Sequence, residues 1–202
     1  MKIADVDLDQ AVLVVAEIGN NHEGSYTLAE EMIGLAARAG VGAVKFQTIV
    51  PDKLVSPTQT ARVQQLQKFQ LSYAQFEKLS QVARQEGVLF LSTPFDLESA
   101  RFLEPLVPAY KIASGDNNFF PLLETVARTG KPIMLSAGLT DFNQITQTKD
   151  FITSIWQETG AAQQLALLHC VVSYPTPAAE ANLLAIRELQ KLGVTVGYSD
   201  HT

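Results

Sequence analysis

Two lysines sit inside apolar runs of this chain, Lys45 in "GAVKFQT" and Lys111 in "AYKIAS". A charged side chain among apolar neighbours is costly unless something anionic meets it. That partner is either a protein carboxylate, such as Glu17 in "AVLVVAEI", or an anionic ligand. Comparable apolar runs close on further polar residues: Gln47, Ser92 with Thr93, Ser114, Ser136, His169, and Ser199 with His201. Residues two apart on a strand share a face, so Lys45 pairs with Gln47 and Ser199 with His201. Serine hydroxyls donate to phosphate oxygens and lysine supplies charge, which suits a phosphorylated or carboxylated ligand. A lysine of depressed pKa could instead form a Schiff base, as in a class I aldolase; that chemistry needs no metal and is trapped by borohydride.

The elements that must position these residues repeat. In "ARAGVGAVKFQT", "ARQEGVLFLSTP", "ARTGKPIMLSAG" and "QKLGVTVGYSDH" a helical segment ends in glycine and an apolar strand follows. The glycines suit helix C-caps with positive φ. Ser25, Asp96 and Asp141 suit N-caps. Seven strands are expected, "AVLVVAEI", "GAVKFQT", "VLFLST", "AYKIAS", "PIMLSA", "LALLHCVV" and "VTVGYS", with six helical connections. Apolar on both faces, they predict a covered parallel sheet. The α/β class follows. A (β/α)8 TIM barrel has eight strands and about 250 residues, so 202 residues ending after strand seven read as a truncated barrel, a single domain over 1–202. An open doubly wound sheet is the structural alternative. In either architecture ligands bind at the carboxyl ends of the strands. The stretch 50–72 is the longest irregular connection and a candidate cover for the site.

A net charge of −6 argues against a general nucleic-acid or membrane surface. Cys170 is the one cysteine, which excludes an intrachain disulfide and fits a reducing compartment. No signal-peptide core or membrane-spanning run is present, so a soluble cytoplasmic protein is expected. No GxxxxGK[ST] or GxGxxG is found, and "HC" at 169–170 lacks zinc-site spacing. Cys170 reads as a buried thiol, Trp156 as a packing residue, His169 as a hydrogen-bonded strand end and His22 as a loop-ordering residue. At Asp116 capping or turn formation competes with a substrate role.

Seven segments in order, "AEIGNNHEGS", "AGVGAVKFQT", "FLSTPFD", "YKIASGDNN", "KPIMLSAGL", "LLHCVVSYPTP" and "GYSDHT", resemble the sialic acid synthase (N-acetylneuraminate synthase) family. The resemblance implies condensation of phosphoenolpyruvate with the open-chain aldehyde of N-acetylmannosamine or a related amino sugar, giving a sialic or related nonulosonic acid and phosphate. It assigns Lys45, Thr93, Lys111, Ser114, Ser136 and Ser199 to phosphoenolpyruvate. Glu17 would assist proton transfer or steady charge at C2, Asp116 would contact the sugar, and His201 would bind a divalent metal, Mn2+ or Mg2+. It further implies a homodimer at full length, a second metal histidine on strand eight and a small C-terminal antifreeze-like domain, the last two absent from 1–202. Asp116 stands where the family usually has glutamate, and Val171 and Val172 where it more often has polar residues. A truncated paralogue that binds ligand or partner without turnover is the remaining alternative. On this reading residues 1–202 alone bind metal poorly, lack measurable sugar-acid synthesis and tend to associate.

Overall fold

The computed structural model describes residues 1–202. Two compact units divide it: Val12–Pro108, here the amino-terminal unit, and Met1–Ala11 with Ala109–Thr202, the carboxy-terminal unit.

The chain opens with a short antiparallel hairpin, β1 (Lys2–Ile3) and β2 (Val6–Asp7), which the sequence reading did not anticipate. It belongs to the carboxy-terminal unit, where the Lys2 amide donates to Gln164 Oε1 at 3.0 Å.

The amino-terminal unit holds β3 (Val15–Gly19), α1 (Tyr26–Arg38), β4 (Ala43–Thr48), α2 (Pro51–Leu54), α3 (Thr60–Phe69), α4 (Tyr73–Gln85), β5 (Leu89–Pro94) and α5 (Leu97–Leu103). Its strands form a parallel sheet in the order β3-β4-β5. The expected first strand is shorter than "AVLVVAEI", because its ladder with β4 begins at Val15; Val12 and Val14 stay exposed. Phe46 of β4 is fully buried and packs edge-on against Phe76 of α4, with Phe90 stacked beside it. Burying such a ring contributes about 1.5–3 kcal/mol. The stretch 50–72 is not irregular: α2 and α3 lie within it. Pro51 starts α2 without a backbone donor to lose. The polar face of α3 hid it from periodicity, since only Leu66 is buried.

The carboxy-terminal unit continues with β6 (Tyr110–Ile112), α6 (Phe120–Ala127), β7 (Ile133–Ser136), α7 (Phe142–Thr159), β8 (Leu165–Cys170), α8 (Ala185–Gln190) and β9 (Thr195–Ser199), in a parallel sheet of order β6-β7-β8-β9. The seven expected parallel strands are present, but they hydrogen-bond as two sheets, of three and four strands, and not as one. Trp156 anchors the helix layer, buried with its indole N–H donating to Ala127 O at 3.1 Å.

Local signals behave as their chemistry requires. Gly40, Gly87, Gly130 and Gly193, each between a helix and the next strand, all take positive φ. Ser25, Asp96 and Asp141 each accept backbone N–H bonds at the start of α1, α5 and α7. α4 carries a capping box from Ser72 and Gln75 that the sequence reading passed over. No helix is long and apolar enough to cross a membrane.

Candidate active site

In the amino-terminal unit the register places Glu17, Lys45 and Leu91 side by side across three strands. Glu17 and Lys45 form an ion pair, Lys45 being the more enclosed of the two. The salt-bridge reading therefore holds for Lys45. Gln47 lies two residues on and accepts from Asn20 Nδ2 at 2.9 Å, and Thr93 is its register partner on β5. Ser92 belongs to the opposite face. Its hydroxyl is 2.7 Å from Thr48 Oγ1, buried on the side that packs on α4. Of the two polar residues closing β5, Thr93 alone shares a face with Lys45.

His22 orders the loop after β3. Its Nδ1 accepts the Gly24 N–H at 3.1 Å, which puts the ring proton on Nε2, a buried atom without a hydrogen-bond partner. Burial lowers its pKa, with the Gly19 backbone opposing.

In the carboxy-terminal unit Lys111 is buried and makes no salt bridge. Its ammonium donates to Ser136 Oγ at 2.6 Å and to Ile112 O at 2.8 Å. Burial pulls its pKa down to about 8, with Cys170 and Asp116 opposing. Desolvation dominates because two neutral acceptors replace a hydration shell. Asp116, in the turn that follows β6, is pushed up to about 6 by burial, against the attraction of Lys111. A carboxyl there can hold or release a proton near neutrality. The turn role is also real, since the Phe119 N–H bonds to Asp116 O at 3.0 Å.

Ser114 does not point its hydroxyl only at empty space: Oγ accepts the Gly138 N–H at 3.1 Å. Asn117, which sequence reasoning missed, is buried and donates from Nδ2 to Gly138 O at 2.8 Å. An asparagine in a run of turn formers carries no signal of burial. Ser199 ends β9 opposite Cys170.

His201 lies beyond the end of β9, so strand periodicity does not set its direction. Tyr174 packs on its ring at a centroid distance of 4.2 Å. Nδ1 is 2.8 Å from Val171 O and must donate, because a carbonyl only accepts. The Nε2 lone pair is thereby left for a ligand, the arrangement by which metal-binding histidines are oriented. The donor chemistry fits one metal bond. No cluster of three or more His, Cys, Asp or Glu side chains is assembled to complete a metal shell.

His169 is a strand-end structural residue, as expected: its Nε2 lies 2.7 Å from Ala181 O and its ring stacks on Tyr198. Cys170 is a buried thiol. A cavity of about 270 Å³ adjoins His169 on the side of α7 and α8, lined by Phe142, Ile145 and Leu189 among others. None of the nine residues assigned to the chemistry lines it.

Known proteins supply the context for these strand-end groups. The model of the NeuB family matches residues 32–202. N,N'-diacetyllegionaminic acid synthase of Campylobacter jejuni is 35% identical over 94% of this chain and 60% of its own length. The crystal structure of N-acetylneuraminic acid (sialic acid) synthetase from Leptospira borgpetersenii, solved with citrate, superposes with a TM-score of 0.86 at 34% identity, covering 95% of this chain and 65% of that one. Spore coat polysaccharide biosynthesis protein spsE of Bacillus subtilis gives 0.85 at 32% identity, over 100% of this chain and 57% of that one. The chain thus spans about three fifths of the length of the relatives it matches. With the family model matching most of the chain, and with these parallel sheets and strand-end residues in place, the chain belongs to the NeuB family.

Proposed function

We propose that this chain carries the catalytic core of a phosphoenolpyruvate-dependent synthase that makes a sialic or related nonulosonic acid, and that its seven parallel strands are strands of a (β/α)8 barrel. The observation that carries the reading is Lys111, a buried ammonium hydrogen-bonded to neutral acceptors with no carboxylate in ion-pair contact, Asp116 acting on it only at longer range. An anionic ligand is the partner such a charge lacks.

The reaction joins C3 of phosphoenolpyruvate to the aldehyde carbon of an N-acetylmannosamine-like sugar. Water adds at C2, the C2–O bond breaks and phosphate leaves. Lys45, Thr93, Lys111, Ser114, Ser136 and Ser199 are the proposed phosphoenolpyruvate contacts. Lys111 is protonated below about pH 8 and can meet a phosphate or carboxylate oxygen with full charge. Glu17, held by Lys45, faces charge developing at C2. Asp116 holds or gives a proton at the sugar, its pKa near 6 suiting either role. His201 Nε2 would hold a Mn2+ or Mg2+ ion. When bound, the metal polarises the aldehyde as a Lewis acid. A cytoplasmic setting and a homodimer of the complete protein are part of the proposal.

One observation favours a second reading. The depressed pKa of Lys111 also suits a Schiff-base amine. The test supplies the complete protein with Mn2+, N-acetylmannosamine and phosphoenolpyruvate labelled with 18O in the C2–O–P bridge. Released phosphate carrying the label, together with a nonulosonic acid, supports the synthase. Turnover in chelator with pyruvate supplied in place of phosphoenolpyruvate, and that pyruvate trapped on a lysine by borohydride, supports the aldolase.

A further inference from the structure

Asn117 joins three parts of the carboxy-terminal unit at one planar group. Its Nδ2 donates to Gly138 O at 2.8 Å and lies 3.5 Å from Ser136 O. Its Oδ1 accepts from Gln144 Nε2 of α7 at 3.1 Å, which fixes the amide orientation. Its backbone carbonyl accepts from Thr148 Oγ1 at 2.8 Å. Ser114 Oγ takes the other side of the same glycine, its N–H, at 3.1 Å. Both backbone groups of Gly138 are therefore held by side chains from the turn after β6. The position admits no side chain: a Cβ on Gly138 would meet Ser114 Oγ at 2.6 Å, Val172 Cγ2 at 2.8 Å and Cys170 O at 2.9 Å. Ser136, two residues before Gly138, is the acceptor of the Lys111 ammonium at 2.6 Å.

We propose that Asn117 is a positioning residue which, by clamping Gly138, sets where Ser136 and Lys111 stand and so tunes the binding of an anionic phosphorylated ligand. The proposal rests on the phosphoenolpyruvate reading above. The side chain must be an amide. Gly138 O needs a donor and Gln144 needs an acceptor, and one planar group at a buried turn supplies both. Aspartate has the same shape but sets an acceptor against Gly138 O. Leucine leaves that carbonyl unpaired, which a buried polar group tolerates poorly.

The test compares the parent chain with Asn117→Asp and with Gln144→Met. The second variant alters only the partner that orients the amide, on the accessible first turn of α7, and keeps the test open where Asn117→Asp does not fold. Two quantities are read: exchange of the Gly138 amide proton by NMR, which needs no ligand, and calorimetric affinity for phosphoenolpyruvate well below the melting temperature. The expected result is exchange at Gly138 at least tenfold faster in Asn117→Asp, with phosphoenolpyruvate affinity down at least tenfold, and losses of two- to threefold in both readouts for Gln144→Met. Lowered melting temperature with unchanged affinity would make Asn117 a stabilising residue only and overturn the proposal, as would unchanged exchange at Gly138. A parent chain that binds no phosphoenolpyruvate overturns the functional reading and this role with it. It is told apart from failure of the clamp by the Gly138 exchange rate, which then still responds to Asn117→Asp.

Discussion

Lys45 and Lys111 share a sequence context and differ in their surroundings. Lys45 is in ion-pair contact with Glu17, while Lys111 hydrogen-bonds only a hydroxyl and a carbonyl, with Asp116 acting on it at longer range. The difference has a pH signature. The folded pKa of Lys111, about 8, lies below its ordinary 10.5. Between those values the unfolded chain binds more protons than the folded one, so stability rises with pH across that window. Below about pH 8 the full penalty applies, about 3 kcal/mol at about 1.4 kcal/mol per pH unit. Denaturant unfolding from pH 7 to 10.5 should show the rise in the parent and lose it in Lys111→Met, which should also be the more stable protein at pH 7. Asp116 acts oppositely. Its pKa is raised to about 6, so its contribution falls as pH climbs from its ordinary carboxylate value toward 6. An acid limb that persists in Asp116→Asn would assign it to other carboxylates.

The elements carry predictions of their own. Residues 50–72 form a strap of two helices over the amino-terminal unit. Lys53 ties its start to Asp96 and Glu98, and Gly24 lies under its end. A Cβ on Gly24 would collide with Lys68 O, at a φ of +86°. Gly24→Ala should therefore displace the strap, read as faster proteolytic cleavage within 51–70; cleavage at the parent's rate would show that the loop yields instead. At α7, Asp141→Ala removes the cap on Gln144 N and should cost about 1 kcal/mol in denaturant unfolding. The strands and caps were legible because apolar runs ending in Gly, and Ser or Asp before a helix, are local signals. The strap helices were not, because α3 buries one residue and shows little period. The β1–β2 hairpin was not, because two-residue strands have no period at all. Nor does strand-end polarity say which side a residue takes, and Ser92 turned to the helix face with Thr48.

At the scale of the whole molecule, an acidic chain of net charge −6 offers an anionic ligand positive potential only locally. Which lysine lacks an ion-pair partner was beyond the sequence, since it depends on the register that brings Glu17 beside Lys45. The resemblance alone names His201 as a metal donor, and its tautomer follows only from the carbonyl it meets. With one such donor, this chain should bind Mn2+ weakly, in the millimolar range expected of a single imidazole for a hard cation, and His201→Ala should abolish even that in a paramagnetic relaxation titration. Binding that survives the substitution would place the metal elsewhere. The central claim is that Lys111 is charged for an anionic ligand, and calorimetric titration of phosphoenolpyruvate tests it most directly. The parent should bind with an affinity that is flat between about pH 7 and 8 and falls toward tenfold per pH unit above it, with proton uptake on binding in that range, and Lys111→Met should lose at least tenfold at pH 7. Equal affinity in parent and Lys111→Met, with no proton uptake, would contradict the account.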